Sequence, residues 1–140
     1  MAFEILNHTA DLGVRATGRT IDEAFCEAAR ALFSVMVDLD AVEPRSEHVI
    51  RLEAGSCADL LVEWLSDLLA QKELSGLVFS RFEARIRRLR DRALLDGIAR
   101  GEPLDRAVHR PAAEVKGISY LGLDVRPIGD GWQVRCVLDV

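Results

Sequence analysis

Asn7, His8, Thr9 and Asp11 put an amide, an imidazole, a hydroxyl and a carboxylate into the segment 7–11, close to the start of the chain. A histidine there can ligate a metal or shuttle a proton. The same residue types also bond neighbouring backbone groups and make ordinary turns. The segment becomes chemically specific only when the far end of the chain is added. Asp139 is followed by Val140 and its carboxylate, so two adjacent anionic groups lie at the end of a strand-like run. Holding them close together calls for a cation or an arginine. If Asp11 lies beside them, three carboxylates converge. Oxygen ligands of this kind suit a hard divalent ion such as calcium, magnesium or manganese, with calcium the ion expected to be seen bound. Zinc would want more nitrogen or sulfur. The alternative is a solvated chain end.

The remaining candidates are weaker. Asp38, Asp40 and Glu43 form an acidic link without the glycine-centred spacing of an EF-hand loop, which reads as a solvated connector. Lys116 sits in a strand-like run where an exposed lysine is the default. His48 and His109 carry no pattern. There is no phosphate-binding loop, dinucleotide fingerprint or nucleophile elbow. Nothing pairs a nucleophile with its base, so an independent enzyme is not supported.

These residues must be positioned by a chain of 140 residues, which predicts one domain over 1–140 with a sizeable core. Hydrophobic residues make up 49% and charged residues 29%, the balance of a globular protein that folds without staples. The net charge of -5 opposes a general attraction to nucleic acid or anionic lipid. No strong direct nucleic-acid binding is expected. Cys26, Cys57 and Cys136 are widely spaced and lack any C-x-x-C pairing, which speaks against a disulfide framework or zinc ribbon. Each falls on an apolar-faced element and reads as a structural cysteine. With neither a signal-like start nor a spanning apolar run, the expectation is a cytoplasmic protein with no membrane partner.

Two short strands are read at 3–6 and 12–17, joined by the opening turn. Thr20-Ile21-Asp22-Glu23 has the form of a capping box. The helix it starts carries Ala24, Phe25, Ala28, Ala29, Leu32, Phe33 and Met36 on one wide stripe, with Glu23, Glu27 and Arg30 off it. A third strand spans 48–52. Ser56 opens a second helix whose buried face is Leu60, Leu61, Trp64, Leu65, Leu68 and Leu69, ending at Ser75-Gly76. Residues 79–89 and 93–100 read as a hairpin turning near Arg90-Asp91. Its outward face is basic, with Arg81, Arg85, Arg87, Arg88, Arg90 and Arg92, and an edge that resists association is favoured over an anion-binding stripe. Residues 101–113 form the longest candidate loop. Strand-like sequence resumes over 115–127, broken by Gly122, and after the turn Gly129-Asp130-Gly131 the run 132–138 places Trp132, Val134, Cys136 and Leu138 on one face. The fold class is α+β: two amphipathic helices on mainly antiparallel sheet. A duplicated strand-helix-strand unit is compatible with this order, although no residue-level repeat is visible.

Taken together, His8-Thr9-Ala10-Asp11, the helix start over 20–25, Leu60-Leu61-Val62-Glu63-Trp64-Leu65, Glu114-Val115-Lys116 before Ser119-Tyr120, and the closing Asp139-Val140 resemble the archease family. They run in order along nearly the whole chain. The resemblance implies an archease-type α+β domain and a metal site made by Asp11, Asp139 and the carboxylate of Val140. It also implies that Lys116 is a functional lysine of a surface that activates the RtcB-type RNA ligase of tRNA splicing. Members of that family promote guanylylation of the ligase by GTP and its repeated turnover on tRNA; the catalysis is the ligase's. The sequence departs from the family pattern after Lys116, with Gly117 and Ser119 in place of alanine and threonine, and Leu121 where a polar residue is common.

Two further readings compete. A stand-alone metal-dependent phosphoester hydrolase using His8 as acid or base predicts turnover without a ligase. An RNA-binding module using the arginine hairpin predicts strongly salt-dependent RNA affinity.

Overall fold

In the computed structural model, residues 1–7 and 11–140 are described. Strands β1 (Ala2–Asn7) and β2 (Asp11–Gly18) lead to α1 (Ile21–Met36). A short 3-10 turn (Leu39–Ala41) precedes β3 (Ser46–Ala54), and α2 (Cys57–Ser75) follows. The hairpin β4 (Leu77–Arg88) and β5 (Ala93–Pro103) comes next, then a single helical turn α3 (Arg106–His109), β6 (Gly117–Ile128) and β7 (Gly131–Asp139). The strands form two antiparallel sheets, β1-β2-β7-β6 and β3-β5-β4. The first sheet joins the two ends of the chain, so the sheets do not divide the sequence into a first and a second half.

Local chemistry sets the helices. The Thr20 hydroxyl accepts from the Glu23 amide at 3.1 Å, and the Glu23 carboxylate accepts from the Arg19 amide at 2.7 Å, so the reciprocal cap forms one residue from where the motif places it. Ser56 caps α2 through the Asp59 amide at 3.1 Å, and Gly76 ends it in the left-handed region with φ 74°. The apolar stripe of α1 is buried as its spacing predicts, and Trp64 of α2 is fully buried with its indole N–H donating to the Phe25 carbonyl at 3.0 Å. Both helices pack into one continuous core that includes Val14, Ala16, Leu95, Ala99, Val134, Cys136 and Leu138 from the two sheets.

Several expectations change. Glu27, read as lying off the stripe, is only 8% exposed, and it is compensated by Arg30 at 3.0 Å. The long loop at 101–113 is shorter, because β5 continues to Pro103. Gly101 permits this: a Cβ there would overlap the Val78 carbonyl, so only glycine lets β5 pass the irregularity in β4 between Phe79 and Arg81. Asp105 then caps α3 through the Ala107 and Val108 amides. Lys116 lies outside β6 rather than within a strand. The segment before it is pinned to the end of α1 instead, with the Ala112 amide donating to Met36 at 2.9 Å and the Ala113 amide to Val35 at 3.0 Å. Those bonds satisfy carbonyls that the helix terminus leaves unpaired. Asp139, expected just beyond the last strand, is its final residue. No helix is long and apolar enough to cross a membrane among the described residues.

Candidate functional site

The two ends of the chain meet on one sheet. β2 pairs with β7 in a register that sets Asp11 directly opposite Asp139, and β6 pairs with β7 so that Gly117 flanks Asp139 on the other side. Residues directly opposed across a ladder project from the same face, so the two carboxylates share one surface. The core face of these strands is fixed by Val14 and Ala16 on β2 and by Val134, Cys136 and Leu138 on β7, all buried. Side chains alternate along a strand, which sends Asp11, Gly13, Val137 and Asp139 to the outer face. The Lys116 amide donates to the Asp139 carbonyl at 2.7 Å. One further step in the Gly117–Asp139 register brings Lys116 opposite Val140. Asp11, Asp139, Lys116 and Val140 therefore occupy one tip of the protein.

The electrostatics of the tip are uncompensated. Like charges directly opposed across strands destabilise a sheet. Neither Asp11 nor Asp139 has an ion pair among the described residues, unlike most acidic side chains of the other sheet. Oδ1 of Asp11 is buried without a hydrogen-bond partner among the described residues. A buried, unsatisfied carboxylate oxygen costs free energy unless a donor or cation meets it. Oδ2 of Asp139 lies on the side of Gly117, 3.9 Å from where a Cβ of that residue would stand. An oxygen-only set with an orphaned buried oxygen fits a hard divalent ion. Among the described residues no three His, Cys, Asp or Glu side chains form a metal-sized cluster, so Asp11 and Asp139 are two carboxylates of such a set and not a complete one. His8 and Thr9, named with this turn, lie outside the described residues.

The other candidates fall away for stated reasons. Cys26 and Cys136 are thiols: burial, reinforced at Cys26 by Asp22, pushes each up to about 12. Burial also raises Cys57. None is a nucleophilic thiolate. The acidic link is spent on local structure, Asp38 capping the 3-10 turn through the Asp40 amide. His48 bonds Asp67 at 3.0 Å across the β3–α2 contact.

His109, which showed no pattern in sequence, is a structural node with 1% exposure. Its Nδ1 accepts from the Asp105 amide at 2.9 Å, which places the ring proton on Nε2, donating to Glu102 at 2.8 Å. The Glu43 amide and the His109 ring hold the Glu102 carboxyl below the usual glutamate range. No spacing rule finds this node, because the carboxylate it turns on, Glu102, comes from β5 and is met in turn by the Glu43 amide of the link before β3.

The arginine hairpin is an edge. β4 is the outer strand of its sheet, and Arg81, Arg85 and Arg87 are exposed on one face. Neighbouring positions pair: Arg51 with Asp96 at 3.5 Å, Arg92 with Glu53 at 2.9 Å, and Arg100 with Glu83 at 2.6 Å. Arg88 covers the Trp132 ring, 4.7 Å from its centroid. The open side of β4 is also capped, the Ile86 amide donating to Asp22 of α1 at 2.8 Å.

Comparison with known proteins gives one consistent answer. Residues 3–140 match the family model described as Archease protein family (MTH1598/TM1083). "Protein archease" of Methanopyrus kandleri is 36% identical over the whole of both chains. That of Thermococcus gammatolerans is 39% identical over 99% of this chain and 98% of its own. Among solved structures, protein 1598 of Methanobacterium thermoautotrophicum superposes with a TM-score of 0.87 at 30% identity, covering 99% of each chain. A Thermotoga maritima protein described as "an archease, possible chaperone" shares the fold, with a TM-score of 0.61 at 19% identity over 98% of this chain and 96% of its own.

Proposed function

Since the chain belongs to the archease family, we propose that it is a protein cofactor of an RtcB-type RNA ligase in the cytoplasm, promoting GTP-dependent guanylylation of the ligase and its multiple turnover in tRNA splicing. The observation that carries this reading is the register that opposes Asp11 to Asp139 with Lys116 at the same tip. Asp11, Asp139 and the Val140 carboxylate would hold a divalent ion, calcium, magnesium or manganese. Such an ion supplies charge neutralisation for a triphosphate as its phosphoryl bond breaks.

This chain's own residues supply position. Asp11 is held by the β2–β7 ladder, one residue beyond the last β1–β2 pair at Asn7 and Leu12, and Asp139 by strands on both sides, so the backbone that carries the two carboxylates is set before any partner arrives. That preorganisation lowers the cost of presenting charge inside another protein's active site. Lys116 is exposed, with its backbone tied to Asp139, so its ammonium is free to reach phosphate while its Cα stays put. The covalent chemistry belongs to the ligase.

The test is GTP-dependent labelling of the partner ligase, and its multiple-turnover ligation, with and without this protein. Wild type should stimulate both, and Asp139→Ala and Lys116→Ala should each lose at least about tenfold of the stimulation, the loss expected when a positioned charge is removed from a transition state. Stimulation by both variants equal to wild type would show that the tip has another role.

A further inference from the structure

A groove of about 380 Å³ runs along the outer face of the four-stranded sheet from the tip, and nothing above assigns it. Its floor is Gly13 and Val137, where the missing Cβ of Gly13 leaves the sheet surface low. Leu6 of β1 forms one wall. The other is the arch where β6 leaves its register between Ser119 and Asp124, turned by Gly122 with φ 72°. Only a residue at ease in the left-handed region makes that turn without strain.

Opposite charges are left over at the two ends of this groove. At one end stands Asp11 with its buried, unpartnered Oδ1, beside Asp139. At the other are Arg135 and Arg126, with Asp124 between them in the pairing. Asp124 is engaged by Arg126 at 3.2 Å. Arg135 is opposed across the ladder by another arginine, Arg15, which is itself taken by Glu4 at 2.7 Å. Arg135 thus keeps a like-charged neighbour and has no carboxylate of its own within 4.0 Å among the described residues, the cost that cross-strand repulsion predicts. Two arginines share one carboxylate here, and a planar guanidinium is the side chain that best grips phosphate.

We propose that this groove receives the phosphate chain of a nucleoside triphosphate, with Arg135 as its phosphate-binding residue and Arg126 beside it. The proposal rests on the reading that the tip holds a divalent ion, and it names the ligand class of that site. Length favours the chain of phosphates. Asp139 and Arg135 are four positions apart on β7, about 13 Å of strand, and linked phosphates meet both an ion at the tip and the Arg135 guanidinium without that side chain having to lean along the groove.

The experiment is isothermal titration of the full chain with inorganic tripolyphosphate at saturating magnesium, with orthophosphate as the short control and magnesium alone as the metal control. Wild type should bind tripolyphosphate and not orthophosphate. Arg135→Gln should weaken tripolyphosphate at least about tenfold, the size of a lost charge-assisted hydrogen bond, while binding magnesium as wild type does. Arg135→Lys should fall between, since it keeps charge and loses the bidentate fork; it also guards against misfolding of the glutamine variant. Equal tripolyphosphate affinity in wild type and Arg135→Gln, or no binding by wild type, overturns the proposal. Ligase stimulation by a wild type that binds no tripolyphosphate leaves the proposed function standing and ends only this inference; tripolyphosphate binding without ligase stimulation does the reverse.

Discussion

The outer faces of the two sheets handle carboxylates in opposite ways. On the three-stranded sheet the arginine-rich hairpin looks the more conspicuous, and Arg81 even opposes Arg100 across the ladder, yet the carboxylates of that sheet meet arginines, as in Arg51–Asp96, Arg92–Glu53 and Arg100–Glu83. On the four-stranded sheet the register opposes Asp11 to Asp139 and Arg15 to Arg135, like to like on both rungs. A surface that needs only solubility settles into the first pattern. Repulsion between the opposed carboxylates of Asp11 and Asp139, with a buried carboxylate oxygen left without a partner among the described residues, is what a bound cation would relieve. The density of charge is therefore a poorer guide to function than whether the charge is matched.

The largest effect expected from this contrast is ligand-dependent stability. At a divalent ion concentration a hundredfold above its dissociation constant, wild type should gain about 2.7 kcal/mol, read as a rise in melting temperature. Asp11→Asn, binding at least about tenfold more weakly, should gain no more than about 1.4 kcal/mol, and Arg92→Gln on the hairpin should gain as much as wild type.

Next comes the satisfied buried node. His109→Ala removes partners from Glu102 and the Asp105 amide inside the structure, which should cost about 1–3 kcal/mol in chemical denaturation. The Glu102 carboxyl, held below its ordinary range, adds a pH signature. A depressed carboxyl pKa stabilises the fold above the unfolded value and loses that contribution as pH falls through the folded one. Melting curves of wild type and Glu102→Gln should thus differ at neutral pH and converge as pH falls through the depressed folded-state value of Glu102.

A smaller effect separates the two faces by sign. Without metal, Asp11→Asn relieves cross-strand repulsion and should stabilise by about 0.2–1 kcal/mol. Asp96→Asn, which strips Arg51 of its exposed partner, should destabilise by no more than about 1 kcal/mol. Destabilisation by both would erase the distinction. The smallest effect is at Gly117, where an added methyl meets, among the described residues, Asp139 Oδ2 at 3.9 Å. Gly117→Ala should stay within about 0.5 kcal/mol of wild type.

The sequence disclosed whatever is decided locally. Thr20, Ser56 and Gly76 announced their caps, the two apolar stripes announced the helices, and Leu77–Arg88 with Ala93–Pro103 formed the expected hairpin. Partner choice between distant strands was hidden, because the pairing of β2 with β7 and of β3 with β5 depends on packing around Trp64 and Phe25 rather than on any local period. The His109–Glu102 node, tied to Glu43 of the link before β3, is hidden for the same reason, whereas the i,i+3 pair Glu27–Arg30 and the turn α3 are local features that the apolar spacing does not report. The candidate site is legible first as carboxylates at the two ends of the chain, Asp11 and Asp139, and the resemblance makes them a metal site; their direct opposition across one ladder is what the structure adds. Arg135 was missed, although the strand's period of two would have put it on the same face as Asp139.

Titrating manganese into the metal-free protein and counting bound ion by electron paramagnetic resonance reads whether the unmatched carboxylates of the tip hold a divalent ion. Wild type should take up one ion per chain, with at least about tenfold weaker binding in both Asp11→Asn and Asp139→Asn, since even outer-shell changes at metal sites reach that size. Wild-type affinity in both variants would mean that these carboxylates do not hold the ion.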